Sequence, residues 1–309
     1  MKLRKLLGIM LLAGGVLAGC QNTIEEPVVM EPEKREIADN EPEEKEEVED
    51  LQIVAGSVSV TNVLGELDID LVGIPTTDSA IPEKFEGLPE VGIAHTPDLE
   101  IVASLEPDLF ILDANFREAN EVKLDELGIN AFFFETGSYN VFLESIASLG
   151  TEINREEEVR SLIDLLNHSA EAALENKTDE SPRVAIIFGA GDDFMLATEH
   201  SYVGELAKIM GATNIAAELE GGLHSPFLQF SLEQILDQDP DYILRFAHGP
   251  IEQTEIMFNQ MFDENDAFQQ LNAVQNGKVV DLDSTIFGTA ANLRAPEAFE
   301  KLGEIFYGN

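Results

Sequence analysis

From Leu51 onward, short apolar runs alternate with longer stretches in which apolar residues recur every three or four positions. The runs at 52–55, 71–74, 109–112 and 131–134 are brief, apolar and rich in branched or aromatic side chains, which predicts buried strands. Between them, 58–67, 99–105, 118–127 and 141–149 carry helical spacing. A second series follows Pro182, with strands predicted at 184–188, 242–245 and 278–282 and helices at 202–210, 232–236 and 296–306. Strands that alternate with helices make a mainly parallel sheet covered on both faces. Between the two series, Val159, Leu162, Ile163, Leu166, Ala170, Ala173 and Leu174 trace one face of a single long helix. Asn154 and Glu157 have the spacing of a capping box at its start, and it should end near Asn176. At ~1.5 Å per residue such a rod is about 30 Å long, the width of a small domain. The pattern therefore predicts two α/β lobes, 51–150 and 179–309, joined by a linking helix within 151–178, with a ligand held in the cleft between them.

The first fifty residues follow a different pattern. Lys2, Arg4 and Lys5 precede an apolar run from Leu6 to Val16, and Leu17-Ala18-Gly19-Cys20 follows. That order predicts a signal peptide at 1–19, because the run is too short to cross a bilayer core of roughly 30 Å. Small residues directly before the chain's single cysteine form a bacterial lipobox, so Cys20 is expected to carry lipid rather than a disulfide. The mature protein would then sit on the outer face of the cell membrane, lipid-anchored and extracytoplasmic. Residues 21–50 hold thirteen acids against Lys34, Arg35 and Lys45, with no aromatic residue and three prolines. Self-repulsion and the lack of anything apolar to bury predict a disordered acidic linker over 20–50.

Charge narrows the function. The net charge is −42, and −45 without the signal's Lys2, Arg4 and Lys5, so there is no basic surface for nucleic acid. No G-x-S-x-G, H-E-x-x-H or P-loop appears, and Gly189-Ala190-Gly191 is only a weak glycine-rich turn. A binding protein is expected rather than an enzyme.

Val91-Gly92, Pro97-Asp98-Leu99-Glu100-Ile101-Val102 and Leu105-Glu106-Pro107-Asp108-Leu109 resemble the first-lobe signature of the helical-backbone (class III) substrate-binding lipoproteins of ABC importers. Ser231-Leu232-Glu233-Gln234-Ile235-Leu236 with Asp239-Pro240-Asp241-Tyr242-Ile243-Leu244 resembles the second-lobe echo. The resemblance covers the chain from about Gln52 to its end. It implies two Rossmann-like lobes on one backbone helix, a monomer, and as partners a permease dimer with its ATPase. It also implies that Glu100 and Glu233 dock arginines on the permease.

Within the class, Ile243-Leu244-Arg245-Phe246-Ala247-His248-Gly249 resembles the histidine loop of the IsdE-type haem-binding proteins. So do 196–204 and Ile286-Phe287-Gly288 with Ala291-Asn292. The resemblance implies haem as transported ligand, upstream surface haem-binding proteins as donors, and His248 as one axial ligand. Where those proteins place a methionine, this chain has His95, in Gly92-Ile93-Ala94-His95-Thr96-Pro97. Imidazole is itself a good axial ligand, so His95 and His248 are expected to hold the iron from opposite lobes. Both follow predicted strand regions, and ligands of open α/β sheets gather beyond the C-terminal ends of strands.

The propionates need neutral donors or cations in so acidic a chain. Ser57 and Ser59 open the first helix, where free N–H groups and the helix dipole favour anions. Thr77 and Ser79 occupy a loop that the resemblance places near the propionates, although Asp78 lies between them. Arg245 beside His248 is read either as a propionate partner or as a structural salt bridge, and Phe287 as a pocket wall. His168 is expected as a solvated or packing residue of the linking helix, His200 at the surface rather than in the cleft, and His224 in a glycine-rich loop within reach of a ligand. The rivals are a siderophore or cobalamin, and a bare metal ion. The absence of Trp and the scarcity of Arg weigh against the first, and the scattered histidines against the second.

Overall fold

A computed structural model describes residues 51–175, 177–179, 181–222 and 225–308. The expected signal peptide, Cys20, the acidic linker and His224 lie outside the described residues.

The first lobe runs β1 (Ile53–Ala55), α1 (Val58–Glu66), β2 (Gly92–Ile93), β3 (Thr96–Pro97), α2 (Leu99–Ser104), β4 (Leu109–Asp113), α3 (Arg117–Leu127), β5 (Ala131–Phe134) and α4 (Tyr139–Glu152). Its parallel sheet has the order β1-β4-β5, with Ile53 opposite Leu109 and Phe110 opposite Ala131. The linking helix is α5 (Glu156–Ala173). The second lobe follows with β6 (Arg183–Ala190), β7 (Asp193–Ala197), α6 (Tyr202–Ile209), β8 (Thr213–Asn214), β9 (Phe227–Gln229) and α7 (Leu232–Gln238). It closes with β10 (Tyr242–Ala247), α8 (Ile251–Glu264), α9 (Asn272–Gln275), β11 (Val279–Asp281) and α10 (Ala295–Tyr307). Its sheet has the order β11-β10-β6-β7-β9, with β8 paired to β6.

The apolar runs are nearly unbroken because both faces of each sheet are covered. In β4, Leu109 and Ile111 face one core while Phe110 and Leu112 face another. In β6, Val184, Ile186 and Phe188 enter the first of these cores, and Ala185 and Ile187 enter a third under α8. That first core is shared by both lobes. It holds Ile111 and Phe142 of the first lobe, Val159, Leu162 and Leu166 of α5, and Phe246 and Phe299 of the second.

Three expectations need correction. The 71–74 run makes only isolated bridges, Val54 to Gly73 and Ile74 to Glu90, because it lies along the edge of β1 without extending. The capping box does not form. Asn154 takes a left-handed φ of 55°, Arg155 is the N-cap, and no side chain caps the helix. The helix ends at Ala173 rather than near Asn176, so its eighteen residues span about 27 Å. The second sheet is mixed, since β7 pairs antiparallel with both β6 and β9 while β6, β10 and β11 are parallel. Gly189-Ala190-Gly191 ends a strand and enters the β6–β7 hairpin turn, with Gly191 at φ 66°, and is not a phosphate loop opening a helix.

Candidate functional site

Three loops of the first lobe gather beyond the C-terminal ends of its strands. After β1, Gly56 N–H donates to Ile111 O at 2.8 Å and leads into Ser57, the N-cap of α1. Ser57 is buried, and its Oγ accepts from Val60 N at 3.4 Å. The loop after Ile74 is stitched to the β2–β3 hairpin, since Val91 N donates to Ile74 O at 2.8 Å and Thr76 N to Gly92 O at 2.8 Å. Thr77 closes this loop by accepting from Ser79 N at 3.0 Å, while Asp78 and Ser79 are exposed. Gly92 is required here. It has φ 88°, and a Cβ would lie 3.0 Å from Asp98 N and 3.2 Å from Thr96 O.

His95 sits at the tip of that hairpin and is exposed. Its imidazole makes no hydrogen bond or ion pair among the described residues, and its ring neighbour is Phe116, centroid to centroid 6.3 Å and tilted by 51°. Phe116 belongs to the short turn after β4.

In the second lobe His248 follows β10 directly and is exposed, with its N–H donating to Gly189 O at 2.9 Å. The ground beneath it is braced, because Thr254 Oγ1 accepts from Gly191 N at 2.9 Å and donates to Pro250 O at 3.1 Å. The loop between β11 and α10 crosses towards the first lobe. Ala291 N donates to Thr136 O at 2.7 Å, and Ser59 Oγ donates to Ala291 O at 3.4 Å. Within it, Asp283 accepts from Thr285 Oγ1 and N at 2.7 and 2.8 Å. Those bonds, with the Arg294 charge, hold its carboxyl below the usual range.

Two proposed pocket residues are placed elsewhere. Arg245 shares the face of β10 with Ile243, beneath α8, so strand alternation commits it to that covered face. It is 5% exposed and bound to Asp281 through Nε at 2.7 Å and Nη2 at 2.6 Å, with Asn259 at 3.1 Å. Its guanidinium lies 4.9 Å from the Phe262 ring centre. This is the structural salt bridge. Phe287 is 1% exposed in the shared core, because its N–H and that of Ile286 both donate to Asp283 O and turn the segment inward.

Glu100 and Glu233 each lie in the first turn of a helix, exposed and without a side-chain partner among the described residues. The caps are made by others. Asp98 Oδ1 accepts from Glu100 N and Ile101 N at 3.1 and 3.2 Å, and Ser231 Oγ accepts from Gln234 N at 3.3 Å. His168 and His200 are exposed, with His168 Nδ1 at 2.6 Å from Asp164 O.

The sequence reading missed Phe116, and it missed the junction between the lobes. There Glu205 of α6 accepts from Asn140 N at 2.9 Å and Asn140 Nδ2 at 2.6 Å, capping α4 across the lobes. Tyr139 and Tyr202 open these two helices, fully buried, with hydroxyls that have no hydrogen-bond partner among the described residues. Burial, and then the Glu205 charge, pushes the Tyr139 hydroxyl up to about 12. Burial raises Tyr202 further. A rule that strand ends carry sites, applied to the run at 109–112, would have pointed to Phe116.

The described residues contain no group of three or more His, Cys, Asp or Glu able to hold one metal ion, and no helix long and apolar enough to cross a membrane. Comparison with known proteins agrees with the fold. Residues 53–286 match the periplasmic binding protein family. The high-affinity heme uptake system protein IsdE of Staphylococcus aureus is 31% identical over 261 residues, which is 84% of this chain and 88% of IsdE. A solved ABC transporter substrate-binding protein from Listeria monocytogenes EGD-e aligns with a TM-score of 0.76 at 31% identity, over 84% of this chain and 100% of the other. IsdE of S. aureus complexed with heme aligns with a TM-score of 0.74 at 30% identity, over 83% and 99%. With two α/β lobes on one helix and a family match across both, this chain belongs to the periplasmic binding proteins.

Proposed function

We propose that this is a lipid-anchored extracytoplasmic protein that binds haem and delivers it to an ABC importer, with the iron held by His95 and His248. The observation that carries this reading is the pair of exposed histidines, one at the C-terminal end of each lobe's strands, neither engaged in a hydrogen bond through its ring among the described residues. A haem iron takes axial ligands on opposite faces, which a two-lobed protein can supply one per lobe. The relationship to IsdE, whose solved structure is complexed with heme, supports haem as the cargo. Ser57, Ser59, Thr77 and Ser79 remain the polar groups of this reading. Arg245 and Phe287 drop out, for their side chains are already committed.

Cys20 is the anchor in this proposal, and Glu100 and Glu233 are the two contacts with the permease. Ferric haem, cobalamin and a ferric siderophore titrated separately into the full-length protein test the cargo. Haem should give a Soret band saturating at one equivalent, and saturation by either rival without such a band would replace this reading. Cys20→Ser should release the protein from the membrane fraction, and its retention there would remove the anchor.

A further inference from the structure

We propose that Phe116 is the positioning residue for His95, setting the plane in which the imidazole meets its ligand; this rests on the haem reading of the same site. Histidines that bind a metal usually have the second ring nitrogen fixed by a carboxylate, carbonyl or water, which sets both ring orientation and basicity. His95 has no such partner among the described residues, and its backbone sits in a two-residue turn. Phe116 is its ring neighbour instead, with ring centroids 6.3 Å apart and planes tilted by 51°. That distance is within the range of favourable tilted aromatic contacts.

Phe116 is itself held on both sides. Asp113 Oδ1 accepts from Asn115 N at 2.9 Å, and Asp113 Oδ2 accepts from Thr136 Oγ1 at 2.8 Å, which shapes the turn that presents the ring. Asn120, 6% exposed, donates from Nδ2 to Phe116 O at 2.8 Å. Phe116 packs against the first lobe's second core, which contains Val91, Val102 and Leu124. A fixed ring thus limits the rotation of a flexible one. The contact works through an apolar wall rather than a hydrogen bond, so it leaves the second imidazole nitrogen free to meet water. It also places an aromatic surface beside the candidate ligand, which suits a flat macrocycle better than a hydrated ion.

The test compares Phe116→Leu, which keeps apolar packing but removes the ring, with Phe116→Tyr, which restores it. In the apo protein the His95 ring protons should carry a ring-current shift that Leu abolishes and Tyr retains. In the ferric haem complex the principal g-values, which follow the orientation of the axial imidazole planes, should move and broaden in Phe116→Leu. Haem release should quicken on the order of tenfold, the usual scale for losing a group that orients a ligand. Phe116→Tyr should return both to wild-type values. Unchanged g-values and release in a folded Phe116→Leu whose haem still depends on His95 would overturn the proposal. A wild type whose haem spectrum does not depend on His95 would show that the ligation by His95 had failed, and the positioning role would fall with it.

Discussion

Arg245 and the Tyr139–Tyr202 pair lead to separate expectations at the scale of single residues. The Arg245 guanidinium is buried while its partner Asp281 is half-exposed, so removing the cation leaves a carboxylate that water can still reach. Arg245→Ala should therefore cost about 2 kcal/mol, less than the loss of a fully buried pair, and leave any haem spectrum unchanged. Chemical denaturation and absorbance check the two halves separately. Tyr139 carries a buried hydroxyl with no partner among the described residues, so Tyr139→Phe should be neutral or stabilising by about 1 kcal/mol at pH 7. Its pKa is raised from about 10 in the unfolded chain to about 12, so the folded state holds the proton longer. Stability is fully present below pH 10 and falls as pH rises through that window. Tyr139→Phe should shift alkaline unfolding to higher pH, and an unmoved midpoint would mean that another group governs it. The His248 loop was legible because it follows a strand in the chain, whereas His95 was reached through the resemblance. The fate of Arg245 was not legible, because the choice between cleft and core depended on which face α8 covers. Phe287 was hidden for a similar reason, since the turn at Asp283 that buries it is invisible in an apolar tripeptide.

At the scale of elements, buried apolar strands and periodic helices were read within a few residues, as in β5 at its stated bounds and α10 one residue longer at each end than expected. The two-residue strands were not. The β2–β3 hairpin that presents His95 has two residues per strand, too few for any alternation to show. Strand β7 pairs antiparallel with both β6 and β9, a choice made by long-range register rather than local pattern. The link between the lobes is stronger than one helix. The shared core runs through α5, the Glu205 carboxylate caps α4, and Tyr139 packs edge-on to Phe299 at 5.2 Å. A packed core is bistable rather than continuously deformable, and none of these contacts is a loop hinge. Solution scattering curves of apo and haem-loaded protein should nearly coincide. A large compaction on loading would show that this junction opens.

At the scale of the whole molecule, the charge of −42 is too diffuse to specify a partner, but it raises the background against which two particular acids must act. Glu100 and Glu233 are exposed, uncapped by their own side chains and carried one per lobe, so a permease that pairs both can sense both lobes. Exposed charges of this kind set association rate and register more than affinity. The double variant Glu100→Ala, Glu233→Ala should keep its melting temperature and haem spectrum while losing haem uptake in cells. Uptake at the wild-type rate would place docking elsewhere. The central claim is the ligand pair, and the most direct measurement is the absorbance and electron paramagnetic resonance of the ferric haem complex in wild type, His95→Ala and His248→Ala. Two neutral imidazoles predict a six-coordinate low-spin wild type. Each single variant should become high-spin or five-coordinate and return towards low spin when free imidazole is added. Spectra that stay unchanged in both variants would contradict the account.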